Sequence, residues 1–135
     1  MAQTLNIEPV QGGQESILLV EDEPAILTLV TTILATQGYT VLAAQSPQEA
    51  IALVSKHTGV ISLLLTDVAM PEMNGWDLAK HMLRHDPRLK RLFMSGHPFD
   101  VVAPHDAIDE REHFIQKPFT IKTLAAKVRE ILDNK

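Results

Sequence analysis

Cysteine does not occur among the 135 residues. Disulfides, thiolate nucleophiles and cysteine-ligated metals are therefore excluded, and the composition suits a reducing cytoplasm, where the chain is expected to reside. No uninterrupted apolar stretch approaches the length that crosses a bilayer, so no membrane partner is expected. The opening residues, MAQTLNIEPVQGGQE, have neither a basic n-region nor an apolar h-region and do not read as a secretory signal. Lysine and arginine nowhere form a run, and the formal net charge is −5. Binding to a phosphate backbone needs clustered cations, so no nucleic-acid partner is expected either. Internal repeats and low-complexity segments are missing as well. What is present is enough chain for one domain, with 45% hydrophobic residues to build its core.

Residues 1–14 are polar, contain Gly12-Gly13 and show no sustained periodicity, so they read as a flexible tail or linker ahead of a domain spanning 15–135. Within that domain two patterns alternate. Short apolar runs at Ile17–Val20, Val41–Ala44, Ile61–Leu65 and Leu92–Met94, with a weaker one at His113–Ile115, look like strands of a sheet covered on both faces. Between them lie helical patterns. Ile26, Leu29, Val30, Ile33 and Leu34 share a face, and Gly38 ends that helix. Ser46-Pro47-Gln48-Glu49 is a capping box with proline at the first helical position. A third helix is predicted from about Gly75 to Asp86, stopping before Pro87. The last is predicted from about Thr120, with Ile121, Leu124, Ala125, Val128, Ile131 and Leu132 on one side. The fourth, around 99–111, is weak because Pro98 and Pro104 interrupt it. Five strands alternating with five helices predict an α/β three-layer sandwich with right-handed crossovers.

In such sheets chemistry collects beyond the C-terminal ends of the strands. Four apolar runs end there in polar residues: Glu21, Asp22 and Glu23; then Thr66 and Asp67; then Ser95; then Lys117, followed by Pro118. Carboxylates gathered together repel one another, and a hard cation such as Mg²⁺ relieves this while keeping positions for water or phosphate oxygens. A carboxylate beside such a cation can attack a phosphoryl group, and an ammonium and a hydroxyl suit the charge on the transferred group.

Glu21-Asp22, the segment Leu64-Leu65-Thr66-Asp67-Val68-Ala69-Met70-Pro71 with Asn74-Gly75, Ser95, and Lys117-Pro118-Phe119 together resemble the CheY-like receiver domains of bacterial two-component response regulators. The resemblance covers about residues 15–134. It implies a flavodoxin-like (βα)5 fold with a five-stranded parallel sheet in the order 2-1-3-4-5. It further implies that Asp67 is the phosphoacceptor of a phosphorelay, charged by a histidine kinase or a histidine phosphotransfer domain. Mg²⁺ would be held by Asp22, Asp67 and the backbone carbonyl of Ala69, with Glu21 reaching it through water. Ser95 and Lys117 would bind the phosphoryl group, the Lys117–Pro118 bond would be cis, and Ser95 with Phe114 would form the switch. Such a domain assists its own phosphorylation and dephosphorylation without being an enzyme in the ordinary sense. Leu92-Phe93-Met94-Ser95-Gly96-His97 and Gln116-Lys117-Pro118-Phe119-Thr120 resemble more narrowly the receivers fused to hybrid sensor kinases, so the reader of the signal is a downstream effector protein or an attached kinase domain.

The sequence departs from the family pattern in places. Ala69 offers no polar side chain two residues after Asp67, His97 stands two after Ser95, and Phe114 lacks the hydroxyl of the commoner tyrosine. Histidine titrates near neutrality, so His97 is expected to make the phosphate lifetime depend on pH. The prolines around the fourth helix weaken the face that relatives use for phosphorylation-linked dimers, and the free domain is expected to be mainly monomeric. Two other functions compete with a phosphoryl switch. A receiver-like protein-binding module that is never phosphorylated would have no need of Asp22, Asp67 and Lys117 together. A phosphohydrolase with an aspartyl nucleophile commonly needs a second acid where Ala69 stands. His81 and His85, spaced i and i+4, are a zinc pattern, but Asp77, Lys80 and Arg84 around them favour a solvated helix face. Glu23 reads as a helix N-terminal residue, Met70, Met73 and Met94 as packing, and Trp76 as a helix anchor.

Overall fold

The apolar runs become strands β1 (Ser16–Val20), β2 (Thr40–Ala44), β3 (Leu63–Asp67), β4 (Lys90–Ser95) and β5 (Phe114–Gln116) in the computed structural model, which describes residues 12–134. Helices α1 (Pro24–Thr36), α2 (Pro47–Lys56), α3 (Gly75–His85), α4 (Phe99–Val102) and α5 (Ile121–Asp133) alternate with them. Every strand pair is parallel, and the order is β2-β1-β3-β4-β5. This is the flavodoxin-like arrangement expected.

Local chemistry explains the element ends. The Ser46 hydroxyl accepts from the Glu49 N–H at 3.1 Å, and the Glu49 carboxylate accepts from the Gln45 N–H at 2.8 Å, so the capping box closes one residue further back than its usual form. Gly38 ends α1 with φ +100, a left-handed conformation that lets Tyr39 N–H reach Leu34 O at 3.3 Å and Gly38 N–H reach Ala35 O at 3.0 Å. α3 stops at His85 because Asp86, before Pro87, takes an extended backbone.

Apolar residues cover both faces of the sheet. Ile17, Leu19, Leu63, Leu65, Leu92 and Met94 pack under α1 and α5, while Leu18, Val20, Leu64 and Phe93 pack under α2, α3 and α4. Ile17 to Val20 and Leu63 to Leu65 have no exposed surface, the condition that makes a strand apolar along its whole length.

Some boundaries differ from the apolar pattern, and β3 runs Leu63–Asp67 where the apolar run is Ile61–Leu65. β4 starts at Lys90, ahead of its apolar run, because both charged residues there find partners. Lys90 Nζ donates to Leu132 O at 2.7 Å, capping α5, and Arg91 makes a two-pronged pair with Glu110 at 2.7 and 2.6 Å. The fourth helix is a single turn. Ala103, before Pro104, is extended, and a 3-10 segment (His105–His113) with a kink at Ala107 follows. Ion pairs hold that segment down: Lys80–Asp106 at 2.7 Å, Arg91–Glu110, and Arg111–Asp100.

The end of the expected tail is attached to the domain. Gly13 N–H donates to Gln37 O at 3.2 Å, and Gly12 O accepts from Arg129 Nη1 at 3.1 Å. The rest of that tail lies outside the described residues.

Candidate functional site

Strand order reverses between β1 and β3, so their C-terminal ends border the crevice typical of such sheets. Register then places the side chains. Val20 pairs with Thr66, so Glu21 stands beside Asp67; Asp67 pairs with Met94, and Ser95 follows; Ser95 pairs with Gln116, and Lys117 follows. Residues far apart in the chain thus form one row.

Glu21, Thr66, Asp67 and Ser95 are the buried polar side chains among the described residues; Glu21 is 0% exposed and Asp67 7%. Lys117 Nζ donates to Glu21 Oε1 at 2.7 Å and lies 3.3 Å from Asp67 Oδ1. Glu21 Oε2 accepts from the Glu23 N–H at 3.0 Å. An oxygen from each of Glu21, Asp22 and Asp67 lies within 4.8 Å of the other two.

Burial pushes the Asp67 carboxyl above the ordinary range, with Asp22 adding to the rise and Lys117 opposing it. Burial likewise pushes Glu21 up, against the Lys117 hydrogen bond. Burial pulls Lys117 down, but Glu21 and Asp67 outweigh it, and its ammonium is held charged. Glu21 and Asp67 thus share one ammonium and both resist ionising, while Asp22 stands beside them with no ion-pair partner among the described residues. This donor set, all oxygen and short of positive charge, fits a hard divalent cation.

The neighbouring parts are placed as follows. The Ser95 hydroxyl accepts from the His97 N–H at 3.0 Å, and Ser95 O accepts from the Lys117 N–H at 2.7 Å. The Lys117–Pro118 bond is cis. Ala69 is exposed in the loop after β3. In that loop Glu72 has φ +75, and Met73 N–H closes a tight turn onto Pro71 O at 2.8 Å. Half-buried Phe114 packs edge-on against Phe99 with ring centroids 5.4 Å apart, Phe99 meets Trp76 at 6.1 Å, and Trp76 lies on Phe93 at 4.1 Å. His81 and His85 adjoin each other on α3, and among the described residues they join no third metal-ligating side chain.

Two features escaped sequence reasoning. The Glu21–Lys117 bond spans 96 positions, and nothing local in either segment signals it. Gly75, read as part of a motif, also meets a steric demand, because a Cβ there would stand 2.3 Å from Asp67 O and 3.1 Å from Val68 Cα. Its motif position next to Asn74, the N-cap of α3, was the available signal.

Residues 17–129 match the family model described as the response regulator receiver domain. The chain belongs to this receiver family. Over 122 residues this receiver is 36% identical to the sensor kinase CckA of Brucella abortus (strain 2308), covering 90% of the chain and 13% of that protein. It is 28% identical to the response regulator SaeR of Staphylococcus aureus (strain USA300), covering 86% of the chain and 50% of that protein. The chain therefore spans half or less of the length of these curated relatives. Among solved structures, the receiver domain of the hybrid histidine kinase CckA superposes with a TM-score of 0.72 at 33% identity, covering 87% of this chain and 99% of that one. A CheY-like receiver domain protein from Methanospirillum hungatei JF-1 gives 0.76 at 26%, with 90% and 95% covered. No helix among the described residues is long and apolar enough to cross a membrane.

Proposed function

We propose that this receiver is the phosphoryl-accepting switch of a phosphorelay, with Asp67 receiving the group from the phosphohistidine of a histidine kinase or histidine phosphotransfer domain. The observation that carries the proposal is the placement of Asp67: a buried carboxylate at a strand end, 3.3 Å from an ammonium and grouped with two further carboxylates.

An Asp67 oxygen attacks phosphorus, the P–N bond to the donor imidazole breaks, and the imidazole leaves with the electron pair. Lys117 meets the phosphoryl oxygens with its charge, and Ser95 turns its hydroxyl toward them. Asp22, Asp67 and the carbonyl of Ala69 would hold Mg²⁺, with Glu21 reaching it through water. When bound, Mg²⁺ neutralises charge shared between the carboxylates and the phosphoryl oxygens. Ser95 and Phe114 carry the change outward. Phosphate drives such a change only if it favours one arrangement over the other. For Phe114, the arrangement that must give way is its packing on Phe99.

Residues 15–135 act as the receiver and 1–14 as a linker. Output passes to an effector protein or to attached kinase domains, in the cytoplasm. The free domain is mainly monomeric, because a one-turn α4 leaves little helical surface on that side for pairing.

Incubation with Mg²⁺ and acetyl phosphate, followed by intact-mass measurement, tests the proposal. One added phosphoryl group, absent in Asp67→Asn, is expected. No adduct, together with no binding of beryllofluoride, would instead favour a receiver-like protein-binding module.

A further inference from the structure

A cavity of about 90 Å³ lies outside the candidate site, between α3, β4 and the 3-10 segment that follows α4. Its apolar walls are Trp76, Ala79, Leu83, Phe93, Pro104 and Ala107. Four charged side chains also line it, but they cancel in pairs: Lys80 with Asp106 at 2.7 Å, and Arg91 with Glu110 at 2.6 Å. Trp76 is 6% exposed, and its Nε1–H is buried with no acceptor among the described residues. It is the one lining side chain that carries such an orphaned group among those residues. A buried tryptophan ordinarily finds a partner for its N–H, so the missing acceptor calls for an explanation.

We propose that this cavity binds a small, uncharged, five-membered heteroaromatic molecule whose acceptor atom takes the Trp76 N–H. The walls set the chemistry of the ligand. Aromatic and aliphatic surface selects a flat apolar body, and a few polar groups fix its orientation. Charges that cancel in pairs leave nothing to attract an ion. A single orphaned donor selects an acceptor, because pairing it recovers what its burial cost. Volume sets the size of the ring: an apolar cavity of about 150 Å³ holds benzene, so this smaller one suits a smaller ring. Water is the poorer occupant, since a buried water makes about two to four hydrogen bonds and the lining offers one unpaired side-chain group. Entry is from the side of Pro104 and Ala107. The Lys80–Asp106 pair that ties their segment to α3 is exposed, and pairs of that kind contribute little, so the segment can lift to admit a ring. Trp76 also meets Phe99, which packs on Phe114, so an occupied cavity adjoins the aromatic row that reaches Phe114.

Trp76 is the single tryptophan, so its indole N–H gives one resonance in a proton–nitrogen correlation spectrum of the whole chain. Pyrazole is the probe: it is uncharged at neutral pH and carries an acceptor nitrogen. Pyrrole is the control, a ring of the same size without that acceptor. Pyrazole is expected to move the indole resonance saturably, with a dissociation constant on the order of 1 mM. Pyrrole is expected to bind at least about tenfold more weakly, the factor for pairing an otherwise orphaned donor. Trp76→Phe keeps a ring and drops the donor, and followed through the Ala79 and Ala107 amides it should bind the two probes equally. Ala107→Leu fills the cavity and should abolish pyrazole binding. The comparison of pyrazole with pyrrole on the wild-type chain decides the matter even where a variant fails to fold. An indole resonance that pyrazole leaves unmoved at about 50 times the expected constant, or equal affinity for the two probes, would overturn the proposal and assign the Trp76 N–H to trapped water. Phosphorylation enters none of these measurements, so their outcome is independent of the reading of Asp67.

Discussion

Replacing Gly75 by alanine is a small change placed where the structure has no room. The added carbon would stand 2.3 Å from Asp67 O, 3.1 Å from the Asp67 carbonyl carbon and 3.1 Å from Val68 Cα. All three are backbone atoms, so no side chain can swing aside. Relief to an ordinary contact of about 3.4 Å requires the start of α3 and the end of β3 to part by roughly 1 Å. The Gly75 N–H bond to Val68 O, 2.9 Å long, ties the same two elements together and resists that movement. Overpacking of this kind costs about 1–3 kcal/mol, while alanine regains at most about 1 kcal/mol of backbone entropy in a helix. The net expectation is a destabilisation of about 1–2 kcal/mol in urea unfolding. A displacement near 1 Å at a reacting group can cost about 100-fold in rate, so the proposed phosphorylation of Asp67 should suffer more than stability does. Gly96→Ala is the control, since a Cβ there meets nothing within 4 Å and stability should not change. A Gly75→Ala protein as stable as wild type and phosphorylated at the same rate would refute the steric reasoning.

Cation-free Asp67→Asn should be more stable than wild type near neutral pH. Burial raises the Asp67 carboxyl, so the folded chain holds that proton more tightly than the unfolded chain, and wild-type stability falls as pH rises from about 3.9 through the raised value. Urea midpoints measured from acid to neutral pH check this, and a gap that widens on acidification contradicts it. Ser46→Ala removes the acceptor for the Glu49 N–H and should cost about 1 kcal/mol in the same assay, with α2 protection in hydrogen exchange falling first. Arg129→Ala takes away bonds to Glu15 Oε2 at 2.6 Å, Asp133 Oδ1 at 2.8 Å and Gly12 O at 3.1 Å, and should cost about 1–3 kcal/mol while speeding exchange at the Gly13 amide. Unchanged exchange there would mean that the segment before β1 is held by other contacts.

Much of the fold is legible from local pattern. The four strong apolar runs lie at strands because both sheet faces are covered, and proline, glycine and the Ser46 box mark helix ends through backbone chemistry that is local by nature. The edges of β4 are less legible. Lys90 and Arg91 look like loop residues until their partners, Leu132 O and Glu110, are known, and those partners lie 42 and 19 positions away. The reach of the fourth helix was readable as weak from its two prolines. That Glu110, Asp106 and Arg111 would pin its remnant to α3, β4 and α4 was not.

For the candidate site, the sequence alone named residues that the fold brings to one edge: two adjacent acids, an aspartate, a serine and a lysine, each just past an apolar run. Those spacings are consequences of local strand and turn geometry, so they can be read along the chain. Which of these groups touch, and how they divide the charge between them, was decided only in three dimensions. Parallel register brings β1, β3, β4 and β5 to one edge, burial removes the water that would keep the carboxylates equivalent, and only then does Lys117 lie closer to Glu21 than to Asp67.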